Sequence, residues 1–228
     1  MTEAALPIGP GGSDGPTASG GSSGPTGSAD STGRELPATV RLFVAVAPPS
    51  DAKSELERAL APVYEAHPGL RWNRIEDWHI TLAFLGELPS DVVPGLCTAL
   101  EAVAASHPTL ALELSGSGQF DERVLWCGLR GEVTGLHRLA SATRAAVAAS
   151  GVRFDDRPLS PHLTLARARR DNPDGVPQAA AELSGFAGRP WRAERLHLVG
   201  SNFGRGPGPI RYRDVASWPL TGGGAPPR

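Results

Sequence analysis

Two short motifs carry the side chains of this sequence that are best suited to chemistry. His79 and Thr81 stand two residues apart, and His162 and Thr164 repeat that spacing later in the chain. Each pair lies in an apolar run typical of a β-strand, in which residues two apart point to the same face. Each motif therefore predicts a strand that presents one imidazole and one hydroxyl on one side. Because a single His-x-Thr triplet recurs by chance, it is the repetition that indicates function.

The four side chains together suit proton transfer around a phosphoryl group. Imidazole titrates near neutral pH, so one histidine of a facing pair can act as a base while the other acts as an acid. The threonine hydroxyls can donate hydrogen bonds to the non-bridging oxygens on which charge builds in the transition state. The motifs predict phosphodiester chemistry without a metal, and they leave the acid and base roles of the two histidines interchangeable.

Other reaction classes find less support in the sequence. A metal centre needs His, Cys, Asp or Glu at ligand spacing, whereas threonine stands two residues after each motif histidine. The sequence has no nucleophile-elbow serine, no P-loop and no dinucleotide fingerprint between a strand and a helix. We therefore expect no metal and no cofactor, and neither a nucleoside triphosphatase nor a dehydrogenase.

An α+β scaffold must position the motifs, because strand-like and helix-like segments alternate along the chain. A glycine-rich stretch at 115–118 predicts a turn between two strands. The order predicts two successive lobes, the first containing two helices, whose polar strand faces line a central groove. Periodicity predicts helices at 50–65, 91–106, 134–150 and 178–183, and strands at 41–46, 78–86, 110–114, 123–129, 161–167, 192–201 and 210–218, with a short segment at 70–72 leading into the first motif strand.

Composition bounds the folded part of the chain. Residues 1–38 are mostly Gly, Ser, Pro and Thr, which predicts a disordered tail, and 221–228 predict a disordered C-terminal end. The segment 39–220 is then one bilobal domain. A net charge of -2 gives no basic field that would recruit nucleic acid non-specifically.

The sequence also predicts where the protein resides. Its first residues contain neither a basic region nor a long apolar run, so we expect no secretory leader, and no apolar run reaches membrane-spanning length. Cys97 and Cys127 lack metal-ligand or redox spacing, so we interpret them as buried free thiols in a reducing compartment. We expect a cytoplasmic monomer that does not contact a membrane.

The paired motifs resemble those of the two-histidine (2H) phosphoesterase superfamily. Their surroundings are similar to the bacterial RNA 2',3'-cyclic phosphodiesterases, also called 2'-5' RNA ligases, from about residue 40 to about residue 220. The further residues that carry this resemblance are 41–45, Trp72, 84–86, Pro161, Ala166, Arg167, Ser201 and Tyr212.

The resemblance implies a fold and an activity. The fold would have two pseudo-symmetric lobes, with antiparallel sheets facing a central groove and helices outside. The enzyme would hydrolyse RNA 2',3'-cyclic phosphate ends to 2'-phosphates, with a reversible 2'-5' joining activity. His79 would be the proton donor and His162 the proton acceptor, while Thr81 and Thr164 would bind the phosphate.

Several assignments stay open at this point. Strand parity places Arg167 on the face opposite His162 unless the strand twists or ends there, so its contact with phosphate is undecided. The aromatic residues Phe43, Trp72 and Tyr212 either stack on a base or pack in the core. The remaining histidines, which lack a threonine two residues on, are interpreted as surface or structural residues: His67, His107, His137 and His197.

Two alternative functions also remain. The substrate could be a small cyclic nucleotide or an ADP-ribose cyclic phosphate, because the chain lacks the positive charge from which long RNA gains affinity. The groove could also bind an RNA end without turning it over.

Overall fold

The periodicity of the sequence explains where strands and helices form in the computed structural model, which describes residues 37–169, 175–201 and 212–223. Within these residues the helices are α1 (Ser50–Ala66), α2 (Val93–Ser106), α3 (Val133–Ala149) and α4 (Gly175–Leu183). The strands are β1 (Thr39–Val46), β2 (Arg71–Trp72), β3 (Ile80–Pro89), β4 (Leu110–Phe120), β5 (Val124–Gly131), β6 (Leu163–Arg167), β7 (Trp191–Ala193), β8 (Arg195–Ser201) and β9 (Tyr212–Pro219).

The described residues exclude 1–36 and 224–228, which make up most of the two predicted tails. The predicted disorder of 1–38 and 221–228 therefore stays a prediction. Among the described residues, no helix is both long and apolar enough to cross a bilayer.

The described strands form one antiparallel sheet with the motif strands at its middle. Their order is β7-β4-β5-β6-β3-β1-β8-β9, and β2 also pairs with β6. We call β3, β1, β8 and β9 the first lobe, and β6, β2, β5, β4 and β7 the second lobe. The lobes join where Ile80 of β3 pairs with Leu163 of β6. The predicted α+β class with two antiparallel lobes is confirmed.

The lobes are not successive halves of the chain, so that part of the prediction is wrong. Helix α1 follows β1 of the first lobe, yet its Leu56 and Leu60 are buried in the core of the second lobe, together with α4. Helix α3 follows β5 of the second lobe, yet Leu136 and Leu139 are buried with α2 behind the first lobe. Burial of each such leucine contributes about 1.5–3 kcal/mol. Helical periodicity reveals which face of a helix is buried but not which sheet it covers.

The hairpin between β4 and β5 turns later than the sequence predicts. Residues 115–118 lie inside β4, and the turn falls at Asp121 and Glu122, whose φ angles are +50° and +54°. Two consecutive positive φ angles and the hydrogen bond from the Arg123 N–H to the carbonyl oxygen of Phe120 characterise a type I′ turn, here in a loop of three residues between the paired Phe120 and Val124. Gly118 serves packing instead, because a Cβ there would overlap the indole ring of Trp126.

The segment 192–201, predicted as one strand, is divided between the lobes. Strand β7 pairs with β4, whereas β8, which begins at Arg195, pairs with β1. Both pieces have the alternation of a strand, so periodicity does not reveal the change of partner at Glu194.

Candidate active site

The junction between the lobes brings the two motifs together. Ile80 and Leu163 form an antiparallel pair and are fully buried on the core face. On either side of this pair stand His79 and Thr164, and Thr81 and His162. The charge of a protonated His162 is near enough to lower the pKa of His79, and alternation along a strand turns these four positions away from the buried side chains of Ile80 and Leu163. All four side chains then point to the face away from the core. The structure therefore assembles the polar cluster that the repeated motif predicts.

A β-bulge in β6 brings Arg167 to the same face as the motif. Thr164 pairs with Trp126, but Ala166 pairs with Leu125, which leaves Leu165 as an extra residue. Leu165 and Ala166 are both buried, whereas Arg167 is exposed. Without the bulge, alternation along β6 would place Arg167 on the other face of the strand from Thr164. The extra residue places both side chains on the same face. The Arg167 charge also lies near enough to His162 to lower the pKa of that imidazole.

An equivalent bulge in β3 places an aromatic ring at the corresponding position. Thr81 pairs with Ala45 and Ala83 with Val44, so Leu82 is the extra residue. Five residues after His79, where the second motif has Arg167, stands Phe84. Its side chain is 42% exposed, and the guanidinium of Arg41 lies 4.9 Å from the centre of its ring. An exposed phenyl ring that already stacks against a cation is suited to receiving a planar base.

Both catalytic candidates are oriented by the same local hydrogen bond. His79 Nδ1 lies 2.6 Å from the carbonyl oxygen of Asp77, and His162 Nδ1 lies 2.7 Å from that of Ser160. Because a carbonyl oxygen only accepts, each Nδ1 must carry the hydrogen. In the neutral imidazole Nε2 is then unprotonated and available to a substrate. Either histidine can accept a proton, and either can return one once protonated.

Aromatic rings hold the two imidazoles in place. Phe43 is buried and stacks on His79 with ring centroids 4.5 Å apart, and Tyr212 meets His79 edge-on at 5.4 Å. On the second lobe, Phe120 meets His162 edge-on at 4.9 Å. Phe43 therefore packs beneath a candidate catalytic group, and Tyr212, at 36% exposure, also borders the groove.

The environment of the pair disfavours the imidazolium form. Burial lowers the pKa of His79 to about 4, the neighbouring charges of Lys53 and His162 add to this effect, and the hydrogen bond to Asp77 opposes it. Burial also lowers the pKa of His162. Both histidines are therefore mainly neutral at pH 7 without substrate. An anionic phosphoryl group between them would raise both pKa values, since an opposite charge favours the protonated form.

A cavity of about 370 Å³ lies beside His79 on the first lobe. Its lining includes Lys53, whose Nζ donates a hydrogen bond to the carbonyl oxygen of Glu76 at 3.1 Å. It also includes His197, whose Nδ1 lies 2.9 Å from Oδ2 of Asp214. His197, interpreted from sequence as a surface or structural residue, thus borders the candidate site.

The other predicted residues lie further from the chemistry. Trp72 packs against the ring of Tyr64 and donates its indole hydrogen to the carbonyl oxygen of His67, which favours the core interpretation for Trp72. Cys127 is buried and free, and burial raises the pKa of its thiol to about 12, whereas Cys97 is only half-buried.

Sequence reasoning did not single out Lys53, Phe84 or Phe120 as site residues. The spacing of Phe84 from His79, equal to that of Arg167 from His162, was the available signal for Phe84. Among the described residues, no group of three or more His, Cys, Asp or Glu side chains is placed to hold a metal ion.

Comparison with known proteins agrees with this geometry. The family model described as LigT like Phosphoesterase matches residues 46–126 and again residues 130–210. The chain belongs to the LigT-like phosphoesterase family. The double match means that each half of the chain carries the pattern of this family once, in accord with the repeated motif.

Curated members of the LigT-like family include similar proteins from several organisms. An RNA 2',3'-cyclic phosphodiesterase of Escherichia coli K12 is 31% identical over 182 residues, which cover 79% of this chain and 97% of that protein. One from Geobacillus stearothermophilus is 33% identical over 184 residues, which cover 79% of this chain but only 57% of that longer relative.

Solved structures of LigT-like proteins share the fold. Apo E. coli LigT superposes with a TM-score of 0.65 at 27% identity, covering 81% of this chain and 99% of that one. A protein of Thermus thermophilus gives 0.66 at 28% identity, covering 80% and 98%. E. coli LigT has also been crystallised with 3'-AMP and with phosphate.

Proposed function

We propose that this LigT-like protein is an RNA 2',3'-cyclic phosphodiesterase, which hydrolyses a 2',3'-cyclic phosphate end to a 2'-phosphate by metal-independent acid-base catalysis. The observation that carries the proposal is the register at the lobe junction. It sets His79 and Thr81 against His162 and Thr164 with both Nδ1 atoms fixed by carbonyl oxygens. The relatives named for this activity support the same substrate class.

In the proposed reaction, the two histidines work on opposite sides of the phosphorus. His162 Nε2 takes a proton from water as the water oxygen forms its bond to phosphorus. The bond from phosphorus to O3' breaks, and His79 Nε2 gives its proton to O3'. This assignment of donor and acceptor follows the resemblance, because the hydrogen bonds at the two imidazoles are equivalent.

The remaining groups bind the phosphate and base. Thr81 and Thr164 donate to the non-bridging oxygens, and Arg167, brought to the same face by the bulge, supplies a positive charge next to them. The ring of Phe84 offers a surface for a nucleobase. Since His79 is neutral without substrate, it must gain its proton as the anionic substrate binds.

The direct test is incubation of the purified protein, with EDTA present, with a short RNA that ends in a 2',3'-cyclic phosphate. We expect a 2'-phosphate, identified by mass and by resistance to a 3'-specific phosphatase. His79→Ala and His162→Ala should each lower the rate about 10²- to 10⁴-fold. Loss of activity on chelation would contradict the proposed chemistry.

The same assay separates the alternatives. Turnover of a mononucleoside cyclic phosphate or of an ADP-ribose cyclic phosphate, but not of the RNA, would point to a small substrate. Tight binding of the RNA end with no product after long incubation would point to a binding module.

A further inference from the structure

Two arginine side chains stand directly opposite each other beside the candidate site. Arg71 of β2 pairs with Arg167 of β6 in the antiparallel register, and both residues are exposed. Opposite residues of such a pair share one face of the sheet, with Cβ atoms about 5 Å apart. Because the bulge at Leu165 brings Arg167 to the face of Thr164, Arg71 lies on that face as well. The groove face of the second lobe therefore presents two guanidinium groups beyond its motif.

The short strand that contains Arg71 is fixed to the candidate site. Trp72, the next residue, packs against the core of the second lobe. Asn73 donates its backbone N–H to the carbonyl oxygen of Leu165 at 2.8 Å and its side-chain amide to the carbonyl oxygen of Thr164 at 3.0 Å. These bonds attach the strand to the bulge and to a residue of the site. A side chain on such a fixed backbone loses less freedom when it binds a ligand.

The charges of Arg71 and Arg167 lack a described acidic partner. Neither guanidinium forms an ion pair with an Asp or Glu of residues 37–169, 175–201 or 212–223. Like charges directly opposite each other in a sheet are destabilising, and an anion bound between them replaces this repulsion with attraction. The planar guanidinium fits two oxygens of a phosphate with parallel hydrogen bonds. The pair therefore has the chemistry of a phosphate-binding site.

The position of the pair indicates which phosphate it binds. Arg167 lies three residues after Thr164, which is at most about 10 Å along a strand. This separation is of the order of one nucleotide of RNA. A phosphate between the motif residues therefore leaves Arg71 next to the linkage that precedes it in the strand.

Charge on the other side of the groove favours the same path for an RNA strand. In the first lobe, Phe84 occupies the position that Arg167 has in the second. The lining of the cavity beside His79 includes three carboxylates and two cationic side chains, Glu76, Asp77 and Asp214 with Lys53 and Arg213. A polyanionic strand is therefore accommodated at lower electrostatic cost over the arginine pair of the second lobe.

We propose that Arg71, together with Arg167, binds the phosphodiester that precedes the cyclic phosphate, and so makes the enzyme prefer an RNA end to a nucleoside cyclic phosphate. The proposal rests on the function proposed above. Arg71 donates hydrogen bonds to the non-bridging oxygens of this linkage, which stays intact in the reaction. A nucleoside 2',3'-cyclic monophosphate has no such linkage and makes no such contact. The pair gives a chain of net charge -2 a local means of binding RNA.

A modified substrate tests the contact without any change to the protein. The wild type is given a short cyclic-phosphate RNA whose last internal linkage is a methylphosphonate, in which a methyl group replaces a charged oxygen. A second RNA, the matched control, has the methylphosphonate two linkages further from the end. Both RNAs and the unmodified one have 2'-deoxy nucleotides before these linkages, which keeps the linkages stable.

We expect kcat/KM to fall about tenfold for the first modified RNA, as for loss of a hydrogen bond to a charged group, and to be unchanged for the control. Equal values for all three RNAs would overturn the subsite, as would an equal fall for both modified RNAs. Absence of hydrolysis of the unmodified RNA and of the nucleoside cyclic phosphate would instead refute the proposed function.

Arg71→Gln tests the same contact from the side of the protein. It should lower about tenfold the ratio of kcat/KM for the unmodified RNA to kcat/KM for the nucleoside cyclic phosphate. The methylphosphonate nearest the end should cause no further loss in this variant. Arg71→Lys, which keeps the charge but not the planar fork, should restore part of the ratio. Arg138→Gln, on the exposed face of α3, is the control and should keep the wild-type ratio.

Two results with Arg71→Gln would contradict its assignment. Equal losses on the RNA and on the nucleoside cyclic phosphate would show that Arg71 does not distinguish them. An undiminished effect of the methylphosphonate would show that Arg71 and the linkage act independently.

Discussion

Replacing His79 with asparagine should make the stability of the protein less sensitive to acid. The pKa of His79 is about 4 in the folded protein, against an ordinary value of 6.5. The unfolded chain therefore binds more protons between these two values, so the stabilisation present above pH 6.5 is lost as the pH falls toward 4. Between pH 7.5 and pH 5 this linkage amounts to about 2 kcal/mol, an upper figure because solvent reaches part of the ring.

Asparagine suits this experiment because it does not titrate and its amide can still donate a hydrogen bond toward the carbonyl oxygen of Asp77. Urea unfolding followed by tryptophan fluorescence, at pH 7.5 and at pH 5.0 with constant ionic strength, gives the free energy of unfolding. The wild type should lose up to about 2 kcal/mol more than His79→Asn over this interval. His137→Asn, on the exposed face of α3, is the control and should match the wild type.

Equal loss of stability in the wild type and in His79→Asn would refute the reasoning. It would mean that the imidazole is hydrated well enough to carry a proton in the folded state, so that burial does not keep His79 neutral.

Three further results follow from the same geometry. Thr81→Val and Thr164→Val should each lower kcat about 10²-fold, because each removes a donor to the developing charge; rates near wild type would show that the hydroxyl does not reach the phosphate. Phe84→Ala should raise the KM for cyclic-phosphate RNA about fivefold or more, as expected for loss of base stacking, and an unchanged KM in steady-state kinetics would remove the ring from the substrate site. Saturating inorganic phosphate should raise the pKa of His79 measured by NMR titration, and a pKa unaffected by phosphate would contradict anion binding between the two histidines.

The sequence alone specifies the reactive face but not everything on it. Side chains two residues apart in a strand share a face, so each histidine is predicted beside its threonine. The repeated motif predicts two facing strands, and the centre of the site is therefore predictable. The position of Arg167 is not predictable, because the bulge at Leu165 moves Arg167 to the other face of the strand. An apolar run such as this one contains no residue pattern that marks a bulge. Lys53 also escapes prediction, since its contact with the carbonyl oxygen of Glu76 joins two segments that periodicity does not relate.

The glycines of β4 show a second limit of prediction. Gly116 and Gly118 have the composition of a turn, yet they lie within a strand, where Gly118 leaves room for the indole of Trp126. The turn itself uses Asp121 and Glu122 at positive φ, and Glu122 is not a residue usually favoured there. Turn propensity shows that glycine is favoured in a turn. Whether a glycine forms a turn or makes room for a neighbouring ring depends on contacts with residues distant in the sequence.

The exchange of helices between the lobes bears on how such a chain could arise. The family pattern occurs once in each half of the chain, yet each lobe is covered by one helix from each half. Helices α2 and α3 cover the first lobe, and α1 and α4 cover the second. Two copies of an ancestral half would produce this arrangement as a domain-swapped homodimer, each contributing one histidine to a shared groove, and gene fusion would then join them. Each lobe combines strands and a helix from both halves, since β1 pairs with β8 in the first lobe and β5 pairs with β6 in the second. Neither half is therefore an autonomous folding unit, and a chain cut between β5 and α3 would regain its structure only when both pieces assemble together.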